Sequence, residues 1–182
     1  MAISVSCVDN DCLFETTHNR GLRRRTMIFW LTGQPGAGKT TIAKELVGDS
    51  LDTFVHLDGD DLRELFQNKD FSEEGRKKNV ELAQNISLFL HKKGFHVVVS
   101  MVSPFREQRE RLKEKLKDDI VEIYVYTNQV RGRENFFVEN YEQPIHDYLE
   151  ICTDNITPED CVGYILNNVK TLKWKNTTFQ QM

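Results

Sequence analysis

The sequence has few of the features that would staple a small fold together or carry it into a membrane. Only four cysteines occur in 182 residues, at positions 7, 12, 152 and 161, and none forms a CxxC pair. That number and spacing exclude a disulfide scaffold. They also make a poor zinc site, since Cys7, Cys12 and His18 lack a fourth ligand. Free thiols in a reducing, cytoplasmic setting are the simpler reading. No apolar run approaches the roughly 20 residues of a membrane-spanning helix, and the N-terminus lacks the charged start and apolar core of a secretory signal. Arg20, Arg23, Arg24 and Arg25 hint at a transit peptide, but Asp9, Asp11 and Glu15 argue against one. Charge excess is missing too. Lys and Arg total 24 against 28 Asp and Glu, a formal net charge of −4, which fits neither a nucleic-acid groove nor a polybasic membrane anchor. With no internal repeat and no linker, the expectation is a tail over 1–25, one domain over 26–175 and a short tail over 176–182.

Apolar patterning divides that domain into alternating strands and helices. MIFWLT at 27–32 and FHVVVSM at 95–101 read as strands buried on both faces. TFVHLD (53–58), IVEIYVYT (120–127) and YLEICT (148–153) complete five. Between them, Ile42, Ala43 and Leu46 share a helical stripe, a brief helix falls near 62–66, and Val80, Ala83, Ile86 and Phe89 mark a long helix over 72–93. Ser103-Pro104 reads as N-cap and first turn of a helix over 105–117, and Thr157-Pro158 opens the last one. Such alternation implies an α/β fold: a five-stranded, mostly parallel sheet with helices on both faces. Ligands in these sheets sit at the carboxyl ends of the strands. The polar clusters at 33–40, 58–63, 100–106 and 128–144 each follow a strand, so they are expected to converge.

The first cluster is specific. Gly33-Gln34-Pro35-Gly36-Ala37-Gly38-Lys39-Thr40 satisfies GxxxxGK[ST], with a strand before and a helix after. Its backbone N–H groups can point inward at phosphate oxygens, aided by the partial positive charge of the helix N-terminus. Lys39 would reach the β- and γ-phosphates, while the Thr40 hydroxyl, followed by Thr41, would complete a Mg²⁺ shell. The chain is therefore expected to adopt a P-loop NTPase fold and to bind ATP or GTP with Mg²⁺. Two further absences narrow the class. No NKxD element of guanine-selective switches is present, and strand three ends Val99-Ser100 without the acid a motor would need. The acids available for metal or proton are Asp58, Asp60 and Asp61 after strand two, which fits a small-molecule kinase.

The phosphate loop, LDGDDLR (57–63), FSEEGRKKN (71–79), SMVSPFR (100–106) and YEQP (141–144) resemble, in order and approximate spacing, the adenylylsulfate kinases. The resemblance spans residues 27 to about 165. It implies transfer of the γ-phosphoryl group of ATP to the 3′-hydroxyl of adenosine 5′-phosphosulfate. On matching positions it implies Lys39 and Asp60 as catalytic, Thr40 and Asp60 beside Mg²⁺, and Arg63, Phe71, Arg76 and Asn79 on the acceptor nucleotide. Ser103 matches a serine described in the family as a phosphorylated intermediate. Because in-line transfer needs no covalent step, an N-cap serine near the substrate is the simpler reading. The family's lid is longer and Lys/Arg-rich. Here the segment 128–146 is compact, with Arg131 for the donor and Phe136 or Phe137 to stack on the acceptor, and Lys39, Arg63, Arg76, Arg131 and Arg133 are expected to gather around one polyanion-binding crevice. A homodimer is expected by family analogy alone. Two other readings stay open: the same scaffold acting on a different small modified nucleotide, and a nucleotide-binding module without turnover.

Overall fold

Strand and helix alternate along the residues described in the computed structural model, 25–48 and 54–177, with side chains described through Val169. The elements are β1 (Ile28–Thr32), α1 (Lys39–Val47), β2 (Phe54–Asp58), α2 (Gly59–Leu65), α3 (Glu73–Lys92), β3 (His96–Ser100), α4 (Arg106–Leu116), β4 (Ile120–Tyr126), β5 (Tyr148–Cys152) and α5 (Pro158–Thr177). The strands form one sheet in the order β2-β3-β1-β4-β5. Every pairing is parallel, so the expected "mostly parallel" sheet is wholly parallel.

β1 is buried along its full length because both of its faces are covered. Successive side chains of a strand point to opposite faces. Phe29 and Leu31 therefore pack with Ile42, Ala43 and Leu46 of α1 and Ile165 of α5, whereas Ile28 and Trp30 pack with Leu62, Val80, Ala83 and Leu112 of α2, α3 and α4. Helix ends follow local chemistry. The Ser72 hydroxyl accepts from the Gly75 amide at 3.2 Å, with Glu73 and Glu74 in the first turn of α3 and His91 and Lys92 in its last, as the helix dipole favours. Thr157 caps α5 in the same way, accepting from the Asp160 amide at 3.2 Å.

Three expectations change. The brief helix begins at Gly59, directly after β2, because the Asp58 carboxylate caps it by accepting from the Asp60 amide at 2.9 Å. Asp60 and Asp61 thus stand on a helical turn instead of in a loop. α5 continues to Thr177, past the start expected for the C-terminal tail. Arg25 is held to the domain by Asp119 at 2.5 Å and Asp118 at 3.6 Å. The remaining tail assignments, 1–24 and 178–182, and with them Cys7, Cys12 and His18, lie outside the described residues. Among the described residues no helix is long and apolar enough to cross a membrane.

Candidate active site

The carboxyl ends of β1, β2 and β3 and the segment after β4 open on one cleft of about 970 Å³. β1 delivers the phosphate loop. Gly33 lies so close to β4 that a Cβ there would fall 2.0 Å from the Val125 carbonyl oxygen, at φ +148, so only glycine fits. Pro35, Gly36, Gly38, Lys39, Thr40 and Thr41 line the cleft. Ala37 is buried, and its carbonyl accepts from the Thr153 hydroxyl at 3.0 Å.

Lys39 is 8% exposed, and its ammonium donates to the Gln34 carbonyl at 2.8 Å. Burial lowers its pKa to about 8, although Asp58 and Asp60 pull the other way. A polyphosphate binds the ammonium form. Above pH 8 binding must therefore recruit a proton, and affinity falls by up to tenfold per pH unit until the bound-state pKa is reached. The dissociation constant of ATP, measured calorimetrically, is expected to weaken about fivefold from pH 8 to 9, the slope steepening toward tenfold per unit only above that. Lys39→Arg, always charged, should flatten that slope.

Asp58, the last residue of β2, ties together the end of β3 and the first turns of α1 and α2. One of its oxygens accepts from the Thr40 hydroxyl at 2.8 Å and the Ser100 hydroxyl at 2.6 Å, and the other from the Asp60 amide. Burial alone would raise its pKa, but the bonds from Ser100, Asp60 and Thr40 and the nearby His56 outweigh that and hold the carboxyl below its ordinary range. Ser100 also meets the His56 Nε2 at 2.8 Å. Because its proton goes to Asp58, the serine oxygen accepts there and His56 donates from Nε2. Burial depresses the His56 pKa, against Asp58 and Asp61.

Asp60, exposed on the first turn of α2, acts electrostatically on both Lys39 and Arg63. It stands where the two halves of the cleft meet. In the second half, the Arg63 guanidinium lies 4.3 Å from the Phe71 ring centroid and donates to the Asp70 carbonyl at 2.7 Å. Arg76 is 5.8 Å from the same ring and donates to the Phe71 carbonyl at 3.0 Å. Burial and the like charge of Arg76 both lower the Arg63 pKa, so the pair forms a crowded cationic pocket. Asn79 is 3% exposed and donates to the Gly59 carbonyl at 3.2 Å, while its own carbonyl oxygen has no partner among the described residues. Its amide thus fixes the start of α2 and leaves one acceptor free.

The segment after β4 folds back over the phosphate loop. Arg131 donates to the Thr153 carbonyl at 3.0 Å, and Arg133 lies 5.9 Å from the Phe136 ring. Arg131, Arg133, Phe136 and Phe137 all line the cleft. The five cations Lys39, Arg63, Arg76, Arg131 and Arg133 therefore surround one space, as expected from the sequence.

Ser103 corrects an expectation. It is 1% exposed, lies at φ +44, and its hydroxyl has no partner among the described residues. α4 begins only at Arg106, behind Phe105, so Ser103 is too early to cap it. The cap comes instead from the far side of the lid: the Glu142 carboxylate accepts from the Arg106 amide at 2.7 Å. Glu142→Ala is expected to cost about 1 kcal/mol in urea unfolding, the usual worth of a lost cap.

Sequence reasoning assigned no role to Ser100, His56, Glu142 or the side chain of Gln34, and placed Asp58 only as a candidate acid. Their partners lie far away in the chain and leave no local pattern. As for a metal, Thr40, Asp58 and Asp60 offer hard oxygen donors of the kind Mg²⁺ takes. Among the described residues no group of three or more His, Cys, Asp or Glu forms a cage. Such a set fits an ion bound through one or two protein oxygens together with phosphates.

Comparison with known proteins points the same way. The family model for adenylylsulphate kinase matches residues 25–135. A probable adenylyl-sulfate kinase of Bacillus subtilis is 34% identical over 172 residues, covering 81% of this chain and 87% of the relative. An adenylyl-sulfate kinase of Thermodesulfovibrio yellowstonii is 31% identical over 192 residues, covering 89% and 95%. Among solved structures, the Mycobacterium tuberculosis APS kinase in complex with AMPPNP and APS superposes with a TM-score of 0.67 at 21% identity, over 80% of this chain and 98% of that one.

Proposed function

The chain belongs to the adenylylsulfate kinase family, and on that premise we propose that it transfers the γ-phosphoryl group of ATP to the 3′-hydroxyl of adenosine 5′-phosphosulfate. The observation that carries this reading is the placement of Asp60 between the phosphate loop and the Arg63–Phe71–Arg76 pocket, within one cleft. A donor triphosphate fits the loop amides and Lys39, and Arg131 and Arg133 lie beside the same loop. An acceptor carrying both an aromatic base and an anionic group suits a pocket that pairs an exposed ring with two guanidiniums.

Phosphoryl transfer is mostly a matter of position and charge. Lys39 neutralises the transferring group. Asp60 orients the attacking hydroxyl and receives its proton, while Asn79 and Ser103 present polar atoms to the acceptor side. Thr40 and Asp60 would hold Mg²⁺, with Asp58 orienting Thr40; when bound, the ion neutralises charge on the β- and γ-phosphates. The other loop residues, Gly33 and Pro35 to Thr41, shape and cap the phosphate cradle.

A panel of acceptors offered with ATP tests the reading. ADP release with adenosine 5′-phosphosulfate should far exceed the rate with water alone. If another nucleotide accelerates release and adenosine 5′-phosphosulfate does not, the acceptor is reassigned; the compact lid is what keeps that second reading in play. Tight ATP binding without transfer to any acceptor would instead revive the regulatory-module reading.

A further inference from the structure

Gln34 is one residue of the phosphate loop whose chemistry the motif does not require. In GxxxxGK[ST] it occupies a free position, and it is not among the residues that line the cleft. Its side chain is nevertheless fully used. The amide nitrogen donates to the Val138 carbonyl at 2.9 Å, and the amide oxygen accepts from the Val138 N–H at 2.9 Å. One primary amide therefore satisfies both backbone groups of a residue 104 positions away, as a neighbouring β-strand would.

Two residues before Gln34, the Thr32 hydroxyl meets the Tyr141 hydroxyl at 2.9 Å. Gln34 thus bonds to the lid through its side chain, while its backbone oxygen accepts from the Lys39 ammonium. The lid needs such an anchor. Phe136 and Phe137, immediately before Val138, are 62% and 45% exposed, so packing alone does not fix them.

We infer that Gln34 is a positioning residue for the acceptor side of the cleft: by latching the lid backbone at Val138 it holds Phe136 and Phe137 where the acceptor binds. This rests on the kinase reading above for its kinetic consequence, but not for the latch itself. An apolar residue at position 34 would leave the phosphate cradle intact and unpair both lid groups. A glutamate would still accept from the Val138 N–H but would set a carboxylate oxygen against the Val138 carbonyl.

Gln34→Leu and Gln34→Glu are tested by hydrogen exchange on the full chain without nucleotide and by steady-state kinetics. Exchange in peptides spanning 134–141 should accelerate about tenfold in both variants. The KM for the acceptor should rise about tenfold, the loss equivalent to ~1.4 kcal/mol, with the KM for ATP changed less than about threefold. Gln34→Glu conserves size and polarity, and cooperative thermal unfolding of both variants separates loss of the latch from loss of the fold. Unchanged exchange overturns the inference, and so does an equal rise in both KM values, which would make Gln34 a plain phosphate-loop residue. If the unmodified protein does not use adenosine 5′-phosphosulfate, the kinase assignment fails while the exchange arm still decides the latch. The kinetic arm is then run with the acceptor that the panel identifies.

Discussion

Asp60→Asn should lower kcat by roughly 10²–10⁴-fold, the range for losing a positioned acid–base group, and leave the dissociation constant of ATP within a few-fold. The substitution is nearly isosteric. It keeps the backbone amide that donates to Asp58, so α2 retains its cap. What it removes is the negative charge acting on Lys39 and Arg63 and the oxygen able to take a proton. An effect of that size amounts to about 2.7–5.5 kcal/mol of transition-state stabilisation. It should appear in kcat and in kcat/KM alike, as for an interaction made only in the transition state. Steady-state ADP release together with calorimetry of ATP binding decides the matter, and wild-type turnover in the variant would remove Asp60 from the chemistry.

Arg109→Met should destabilise the protein by about 3–5 kcal/mol, the usual result of removing one partner of a buried ion pair. Arg109 and Glu122 are each 1% exposed and meet at 2.6 Å. The same guanidinium donates to the Ser103 carbonyl at 2.5 Å and to the Glu142 carbonyl at 2.5 Å, and lies 5.7 Å from the Tyr141 ring. Lys113 remains 2.7 Å from Glu122, which favours the lower end of the range. Urea denaturation measures the loss. The double variant Arg109→Met/Glu122→Met should recover much of it, because the stranded charge is gone. A single variant with unchanged midpoint would show that the pair contributes nothing net.

The architecture was legible in the sequence because parallel strands buried on both faces write themselves as short apolar runs, such as Phe29-Trp30-Leu31 and Val97-Val98-Val99. The phosphate loop was legible because its glycines, lysine and threonine are fixed by the shape and charge of what they surround. The cationic residues could be gathered on one side because each follows a strand or opens a helix. Ser103 was misread for an equally physical reason: Ser-Pro ordinarily starts a helix, but a left-handed turn at Ser103 delays α4, and a carboxylate from Glu142 takes over the cap. The contacts of Gln34 with Val138, Thr32 with Tyr141 and Ser100 with Asp58 were not legible. They join residues brought together only by the sheet order, and no spacing along the chain announces them.

The lid is tethered at both ends. Asp154 accepts from Thr127 at 2.5 Å and Asn128 at 2.9 Å, bonds that outweigh desolvation and hold its pKa at about 2, and Arg106 and Arg109 grip Glu142. Only residues 129–141 lie between these moorings. Ordering a free chain costs roughly 1–2 kcal/mol of backbone entropy per residue, so each residue that a longer lid adds is a further charge against substrate binding. A short lid, moored at both ends and latched between them at Val138 and Tyr141, covers less of the ligand but has little disorder left to lose. Its substrates should therefore bind with a smaller unfavourable entropy than a long, loose lid would impose.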